Sequence, residues 1–304
     1  MDTACRVSVG LPVHNGIATV ERAIVSVLRQ TWSDLELVVS DNGSTDGTEA
    51  VCRRYAALDP RIRYTRHATV MGPLDNFGFV LRHARAPYFM WLAADDYILP
   101  GLMERAVAVL DGDPGVVCAV PRARFLERGG TTRPARGTFA LTGSLRDNVC
   151  AFLHDPSDNS RFYGVYRRPA LLHVLPRFPY YGADWTISVG TLLFGTHYEL
   201  PEVLLVREAN DAGKYLRMID TAFATAPARL LPLLPFTRSL LALRLPLSAC
   251  SIVELIRHNA GQHVAYARHR YPRYGRAAHA VGAGVERVRA GLAGVIRTGR
   301  GGGR

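Results

Sequence analysis

The sequence predicts an α/β fold in which a mostly parallel central sheet carries helices on both faces. Four short apolar segments alternate with three segments of helical periodicity in the first 110 residues. Because a helix between two strands returns the chain to the same end of the sheet, strands in such an alternation pair in parallel. Of the 304 residues, 48% are apolar, which is enough for a large core.

The elements of this first part follow from periodicity and from the residues that bound them. Thr19 is a fair N-cap for the first helix. Thr48 is expected to cap the second helix, after a turn rich in Gly, Asn and Asp at residues 41–48. The predicted strands are residues 6–11, 35–40, 62–65 and 88–92, and the predicted helices are residues 20–30, 49–57 and 73–83.

The later elements alternate less regularly. Gly129-Gly130 predicts a hairpin turn within residues 124–139, Pro169 opens a short helix, and Gly195 ends a helix that begins at Asp184. After about residue 212 the pattern is helical, and residues 299–304 are expected to be disordered. The other predicted strands are residues 116–121, 161–168 and 198–206, and the other predicted helices are residues 102–110, 145–153, 169–175 and 184–194.

The net charge of +11 is concentrated in the last part of the chain. Residues 1–110 carry 11 Arg and 12 acids, whereas residues 251–304 carry 10 Arg and 2 Glu. A basic tail can meet nucleic acid, anionic lipid or a phosphorylated substrate, although a solvated surface is the commonest outcome. The spacing of the tail also fits an amphipathic helix that lies on anionic lipid.

The cysteines and the termini indicate a cytoplasmic protein. The five cysteines are odd in number and no pair has ligand spacing, so neither a zinc site nor a disulfide framework is predicted. The N-terminus runs directly into a strand, so no signal peptide is predicted. Prolines and arginines interrupt the apolar stretch at residues 230–247, which makes it a poor membrane span. We expect any membrane contact to be peripheral, at the inner face.

Two adjacent carboxylates, Asp95 and Asp96, follow the apolar strand at residues 88–92. Ligand sites of open α/β sheets lie beyond the carboxyl ends of strands, and a hard cation bound to a diphosphate would suit two acids there. A solvated turn or a helix N-cap is about as frequent for such a pair taken alone. Neither G-x-G-x-x-G after the first strand nor G-x-x-x-x-G-K-[ST] occurs, so metal and side chains would have to hold any phosphate.

Four segments of the chain carry a resemblance to a known family. They are Val9-Gly10-Leu11-Pro12-Val13-His14-Asn15, Asp41-Asn42-Gly43-Ser44-Thr45-Asp46-Gly47-Thr48, Gly72 with Asn76, and Leu92-Ala93-Ala94-Asp95-Asp96. In this order and spacing they resemble the inverting glycosyltransferases of family 2, which have the GT-A fold. The resemblance is strong over residues 6–110 and weak over residues 160–208. It implies transfer of a sugar from a UDP- or dTDP-sugar to an acceptor hydroxyl with inversion.

The resemblance implies a nucleotide-sugar site that includes Asn76. Pro12, His14 and Asn15 would line the base, with His14 where the family often has an aromatic residue. Asp41 would accept a hydrogen bond from the imide N–H of uracil or thymine. The alternatives are a turn or capping role for Asp41 and an ordinary turn role for His14.

The acidic pair stands at the position of the family's D-x-D element, with Ala93 in place of its first acid. On this resemblance Asp95 would contact ribose and phosphate, and Asp96 would bind Mg²⁺ or Mn²⁺. The cation would stabilise the charge on the departing nucleoside diphosphate. Some members present a His near position 208 to the metal, and here Glu208 or Asn210 would have to substitute.

The resemblance assigns the general base to Asp184. An attacking hydroxyl must lose its proton, so a carboxylate within hydrogen-bond reach is needed. Ala183 replaces the family's usual Glu before this Asp, and a helix N-cap is the alternative role. Tyr163 and Gly164 would face the sugar, and Trp185 would stack on the acceptor or lie in the core. The acceptor would be a glycan, a lipid-linked molecule or a small molecule.

These inferences divide the chain into three parts. Residues 1–110 form a nucleotide-sugar-binding half, residues 111–210 form the acceptor and base half of the same GT-A domain, and residues 211–304 form a helical basic extension. Two other functions stay open. A nucleotidyltransferase uses a similar sheet, but residues 13–16 lack its basic Gly-rich loop. A non-catalytic basic module would bind a membrane surface through the tail, in preference to nucleic acid.

Overall fold

The computed structural model describes residues 5–176, 180–209 and 231–270. The predicted helical pattern of residues 212–230, the disordered end and Asn210 lie outside these ranges. The chain forms two compact units. The first comprises Met1–Asn148, Asp155–Pro179 and Ala183–Ala209, and the second comprises Val149–His154, Tyr180–Gly182 and Asn210–Arg304.

The first unit begins with the predicted alternation of strands and helices, which the structure confirms. The four strands pair in parallel in the order β3-β2-β1-β4. The elements are β1 (Val7–Val13), α1 (Val20–Leu28), β2 (Leu35–Asp41), α2 (Thr48–Leu58), β3 (Ile62–Arg66), α3 (Pro73–His83) and β4 (Tyr88–Trp91). Every observed boundary lies within two residues of the predicted one.

Successive residues of β1 pack against helices on opposite faces of the sheet, as predicted for this fold. Val9 belongs to one buried cluster with Ile24 and the other buried residues of α1. At the next residue, Gly10, a Cβ atom would project from the opposite face and lie 2.6 Å from side-chain atoms of both Val80 and Phe89. Because side chains alternate along a strand, α1 and α3 cover different faces. Only glycine at position 10 lets α3 approach β1 this closely.

Five further strands complete the sheet within the described residues. The order continues β4-β8-β6-β9-β5, with β7 paired to β6. β8 is antiparallel to β4 and β6, β9 is parallel to β6, and β5 is antiparallel to β9. The elements are β5 (Tyr97–Ile98), α4 (Leu102–Gly112), β6 (Val116–Leu126), β7 (Thr132–Pro134), α5 (Leu145–His154), β8 (Val165–Arg167), α6 (Arg168–Val174), α7 (Ala183–Gly190) and β9 (Thr196–Glu208).

The structure corrects two predicted elements of the later part. The predicted strand at residues 161–168 is divided into a 3₁₀ turn, Ser160–Tyr163, and the short β8. The chain turns here because the Asp158 carboxylate accepts hydrogen bonds from the N–H and the hydroxyl of Ser160. The predicted helix at residues 184–194 ends at Gly190 and continues as a 3₁₀ turn, Thr191–Phe194.

The predicted capping roles are also revised. Thr19 occupies the N-cap of α1 but makes no side-chain capping bond. Thr48 is the first helical residue of α2, and Gly47, with φ of 92°, is the cap. The Thr48 hydroxyl instead accepts the Gly16 N–H at 2.9 Å and donates to Asp46 at 2.6 Å. The residue therefore joins the loop after β1 to the loop after β2.

The second unit contains α8 (Leu234–Ala242), α9 (Ala249–Arg270) and the last turns of α5. A disulfide joins Cys150 to Cys250 across 100 residues, so the prediction that the cysteines form no disulfide framework is wrong for this pair. Pattern spacing could not reveal this pair, because packing of α5 against α9 brings it together. His154 and Glu254, each four residues further along its helix, also meet, at 2.9 Å. In the described ranges, no helix combines the length and the apolar character that a membrane crossing needs.

The cysteines give a direct test of this arrangement by alkylation and peptide mass spectrometry. Burial raises the pKa of Cys52 and Cys118 to about 12 each, so neither thiol should react in the folded protein at pH 8. The half-buried Cys5 is expected to be modified first. Denaturation without reductant should add only Cys52 and Cys118 to the modified set. Modification of Cys150 or Cys250 before reduction would contradict the disulfide.

Candidate active site

The loop after β1 is fastened to the loop after β2. The Asn15 N–H donates to Ser44 Oγ at 2.9 Å, and Asn15 Oδ1 accepts the Thr45 N–H at 2.8 Å. Asn15 has φ of 51°, a left-handed conformation that asparagine tolerates better than most residues. His14 is exposed, with its Nδ1 2.8 Å from the Asn42 carbonyl oxygen. These contacts hold the imidazole at the mouth of the loop, where an aromatic face could meet a base.

Asp41 is fully buried at the end of β2 and serves the turn directly. Its Oδ1 accepts the Ser44 N–H at 2.9 Å, and its Oδ2 accepts the Tyr64 hydroxyl at 2.8 Å. Arg66 Nε lies 3.8 Å from the same Oδ2. The turn role considered from the sequence is therefore present, and the contact with a nucleobase imide stays a prediction.

Two other predicted nucleotide residues are buried and support the loops. Asn76 Oδ1 accepts the Ser40 hydroxyl at 2.5 Å, while Asn76 Nδ2 donates to the Ser40 carbonyl at 3.2 Å. Pro12 lies within β1, but β4 pairs with β1 only as far as Gly10. The missing N–H of Pro12 therefore costs no ladder bond on that side. Ligand contacts by Pro12 and Asn76 stay predictions.

The turn that carries Asp95 and Asp96, here called the acidic turn, is hydrogen-bonded to the end of β9. Asp96 is only 3% exposed, its Oδ1 accepts the Glu208 N–H at 2.9 Å, and its Oδ2 lies 3.5 Å from Arg207 Nε. Asp95 is half-buried, and its carbonyl oxygen accepts a hydrogen bond from Arg22 Nη2 at 2.8 Å. The same Arg22 atom pairs with Glu208 Oε1 at 2.7 Å. Glu208 thus lies beside the acidic pair, as its predicted metal role requires, but its carboxylate is paired with an arginine.

Arg207 occupies the centre of the site, and sequence reasoning did not identify it. Its guanidinium lies 4.7 Å from the centroid of the Tyr163 ring and donates to Ser160 Oγ at 2.9 Å and to the Asp158 carbonyl at 3.1 Å. Burial acts against its charged form, but neighbouring Tyr163, Asp96, Asp158 and Asp95 outweigh burial and raise the pKa of Arg207. The arginine is the cation of an acidic cluster.

Asp184 lies in the first turn of α7, with its Oδ2 accepting a hydrogen bond from Asn159 Nδ2 at 2.9 Å. Burial raises its pKa, and the Asn159 hydrogen bond and the Arg207 charge partly oppose that effect. The charges of Asp184 and of the acidic pair all act on Tyr163, whose pKa burial also raises. The structure therefore brings the predicted base and the predicted donor acids to the same tyrosine and arginine.

The family model for glycosyl transferase family 2 matches residues 8–175, more than half of the chain. The chain belongs to this family. Three relatives each align over between 34% and 41% of this chain. The uncharacterized glycosyltransferase RT0329 of Rickettsia typhi is 31% identical over 105 residues, 34% of this chain and 32% of that protein. The putative glycosyltransferase EpsE of Bacillus subtilis is 31% identical, over 36% of this chain and 40% of that protein. Chondroitin synthase of Escherichia coli is 30% identical, over 41% of this chain and 18% of that protein.

Solved structures show that this family 2 chain has the GT-A fold. Residues 1–349 of S. aureus TarS align with a TM-score of 0.57 at 15% identity, covering 94% of this chain and 92% of that one. The complex of the same protein with UDP-GlcNAc aligns with a TM-score of 0.58 at the same identity and coverage. GalNAc-T7 with UDP, GalNAc and Mn²⁺ gives 0.53 at 14% identity, covering 85% of this chain and 55% of that one. At such identities the likeness establishes the fold alone.

Three residues of this glycosyltransferase are predicted to contact the sugar or the acceptor, namely Tyr163, Gly164 and Trp185. Gly164 is buried, and a Cβ there would lie 2.5 Å from Cys118 Sγ, so packing against β6 accounts for the glycine. Tyr163 is held by its neighbour Phe162, which stacks on Trp91 with a centroid distance of 4.6 Å. Trp185 is half-buried and follows Asp184 on α7. Sugar contacts by Tyr163, Gly164 and Trp185 stay predictions.

The acidic pair fits a partial cation site. Across the described ranges, no group of three or more His, Cys, Asp and Glu side chains could hold a metal ion without other ligands. Mg²⁺ commonly takes one or two carboxylates and completes its shell with water and substrate phosphates. The donor set at Asp95 and Asp96 suits this mode, in which the ion arrives with the nucleotide.

Proposed function

We propose that this glycosyltransferase moves a sugar from a UDP- or dTDP-sugar to an acceptor hydroxyl, with inversion at the anomeric carbon. The observation that carries the proposal is that Arg207 lies 3.5 Å from Asp96 and 4.7 Å from the centroid of the Tyr163 ring. The same arginine bonds the loop whose Asn159 contacts Asp184 at 2.9 Å. A single displacement needs a base on the acceptor side and charge stabilisation on the donor side. The acceptor is proposed to be a glycan, a lipid-linked molecule or a small molecule.

The donor is assigned to the loops after β1, β2 and β4. The bound UDP of the GalNAc-T7 structure and the UDP-GlcNAc of a TarS structure support a uridine nucleotide. Asp41 would accept from the base imide after releasing part of its turn bonding, and the exposed His14 ring would stack on the base. Asn15 fastens both loops and so fixes the distance between these two contacts.

Mg²⁺ or Mn²⁺ is assigned to the acidic turn, and the Mn²⁺ of the GalNAc-T7 structure supports this. The cation would neutralise charge on the diphosphate leaving group. Asp96 carries both a main-chain N–H bond and an arginine contact, whereas Asp95 is more exposed. We therefore propose Asp95 as the principal ligand and Asp96 as the residue that fixes the turn, which reverses the roles inferred from the sequence.

Asp184 is assigned as the general base. Its position in a buried environment favours the protonated form, and the resulting raised pKa makes the carboxylate a stronger base than an exposed aspartate. The proton would pass from the acceptor hydroxyl to an Asp184 oxygen as the bond to the anomeric carbon forms. Arg207, which acts on both Asp184 and the donor acids, keeps these charges compatible within one buried site.

Titration calorimetry with UDP and dTDP, each with and without Mn²⁺, tests the donor assignment. We expect binding that strengthens at least about tenfold with Mn²⁺, because the two aspartates repel the diphosphate without it. GDP serves as the control, since its base does not offer the same imide edge. Absence of binding by UDP and dTDP with Mn²⁺ present would contradict the proposal. Release of pyrophosphate instead of a nucleoside diphosphate during turnover would favour a nucleotidyltransferase.

A further inference from the structure

Residues 156–160 form a loop with an unusual backbone. Ser157 has φ of 48° and Asn159 has φ of 45°, both in the left-handed region that residues other than glycine seldom adopt. Such conformations persist only where the surroundings enforce them, and they concentrate at functional sites. The surroundings here are close: the Asn159 N–H donates to the Pro156 carbonyl at 2.9 Å. A Cβ at Gly137 would lie 2.7 Å from Asn159 N.

This backbone delivers the Asn159 carboxamide to α7. Nδ2 donates to Asp184 Oδ2 at 2.9 Å, and Oδ1 accepts the Ser188 hydroxyl at 3.0 Å. Asp184 and Ser188 are four residues apart and share one face of the helix. The amide can have only one orientation when Asp184 is ionised, because a carboxylate accepts but cannot donate. Asn159 is 3% exposed, so water does not compete effectively for these bonds.

Arg207 holds the same loop from the opposite side. Its Nη1 donates to the Asp158 carbonyl and to Ser160 Oγ, the residues that flank Asn159. Its Nε faces Asp96 Oδ2 at 3.5 Å. One arginine therefore connects the acidic turn of the donor side with the loop that grips the proposed base.

We propose that Asn159 is a positioning residue for Asp184, and that Arg207 fixes the Asn159 loop against the acidic turn. Asn159 holds the carboxylate in one rotamer and stabilises its charged form, so that the base is both aimed and ready to accept a proton. The inference rests on the proposed role of Asp184 and adds to it a residue that touches no substrate. The geometry also explains why the left-handed backbone at position 159 carries asparagine, which tolerates it, and not a β-branched residue.

Asn159→Gly tests this proposal in the full chain, because glycine retains the left-handed backbone without strain and removes only the carboxamide. The measurement is release of UDP or dTDP from a panel of UDP- and dTDP-hexoses with Mn²⁺. We expect kcat to fall about 10²-fold, the loss that a small misplacement of a reacting group can cause, while the donor KM changes little. Asn159→Asp retains the shape but places a carboxylate against Asp184, and we expect it to be at least as impaired.

The pH profile separates positioning from a general loss of structure. Arg207 and Tyr163 also face Asp184, and both stay in place in the glycine variant. Loss of the Asn159 bond removes an interaction that favours the charged carboxylate, so the acid limb of kcat should move to higher pH. Asn148→Ala is the matched control, because Asn148 is equally buried and makes two bonds to Gly143. It should lower Tm without moving kcat or the acid limb.

Asp184→Asn in the same assay distinguishes the base role of Asp184 from the positioning role of Asn159. An inactive Asp184→Asn together with wild-type kcat and acid limb in Asn159→Gly would overturn the positioning role while leaving the base assignment intact. Full activity in Asp184→Asn would overturn the base assignment itself. A kcat loss in Asn159→Gly with no movement of the acid limb would also overturn the proposal, since a structural defect alone would produce it.

Discussion

Replacement of Asp184 by Asn is expected to lower kcat by about 10²- to 10⁴-fold, the usual contribution of a general base, with little change in the donor KM. Asparagine keeps the shape and can still meet the Asn159 amide, but it cannot take a proton from the acceptor hydroxyl. Steady-state rates with a UDP- or dTDP-sugar and Mn²⁺ measure the effect. Unchanged UDP affinity by calorimetry would show that the donor side is intact.

The same substitution should not destabilise the protein. Burial raises the pKa of Asp184 in the folded state above its value in the unfolded chain. The folded state therefore binds more protons between these two pKa values, and stability is lost as pH rises through that window. Above that window the cost of the buried charge is present, and a neutral amide removes it. We expect the Tm of Asp184→Asn at pH 7 to equal or exceed that of the wild type, as substitutions at strained active sites commonly do.

Asp147→Asn is the matched control for the alternative role of Asp184 as a helix cap. Asp147 also lies in the first turn of a helix, α5, but it is exposed and pairs with the Ser144 hydroxyl. If the function of Asp184 were only to favour the start of α7, both substitutions would have similar small effects on Tm and none on kcat. A loss of turnover confined to position 184 is the result that the base role requires.

Local patterns were sufficient for the first half of the fold and for the acids, and insufficient for the groups that hold those acids. Strand ends bring Asp41, Asp95 and Asp96 to one edge because the connecting helices return the chain to the same side of the sheet. Arg207 and Asn159 give no such signal. Their roles become visible only in the folded chain, where β9 packs against the loop before β8. Arg207 and Asn159 are 48 residues apart in sequence.

The division of the predicted strand at residues 161–168 has the same origin. The sequence predicts one continuous strand there, but the Asp158 side chain accepts hydrogen bonds from the backbone and hydroxyl of Ser160, and the chain turns. That turn is what aims Asn159 at α7 and Tyr163 at Arg207. The disulfide between Cys150 and Cys250 was likewise hidden, because two thiols 100 residues apart carry no spacing pattern.

Asp96→Ala is expected to reduce both stability and activity, because this acid supports the turn that it belongs to. The substitution removes the acceptor of the Glu208 N–H and leaves the buried Arg207 without its closest carboxylate on the donor side. Loss of one partner of a buried pair costs about 3 kcal/mol at the lower end of the usual range, which applies here because Asp158 lies 3.9 Å from Arg207. Thermal and urea unfolding measure this loss.

Asp95→Asn is the companion variant that separates structural support of the acidic turn from binding of the metal ion. Asp95 is more exposed, and asparagine preserves its size, so we expect a much smaller change in unfolding free energy than for Asp96→Ala. The Mn²⁺-dependent part of UDP binding should nevertheless disappear, because the principal carboxylate of the proposed cation site is lost. If Asp95→Asn retained that dependence and a folded Asp96→Ala lost it, the metal would belong to Asp96, and Arg207 would have to move away when the nucleotide binds.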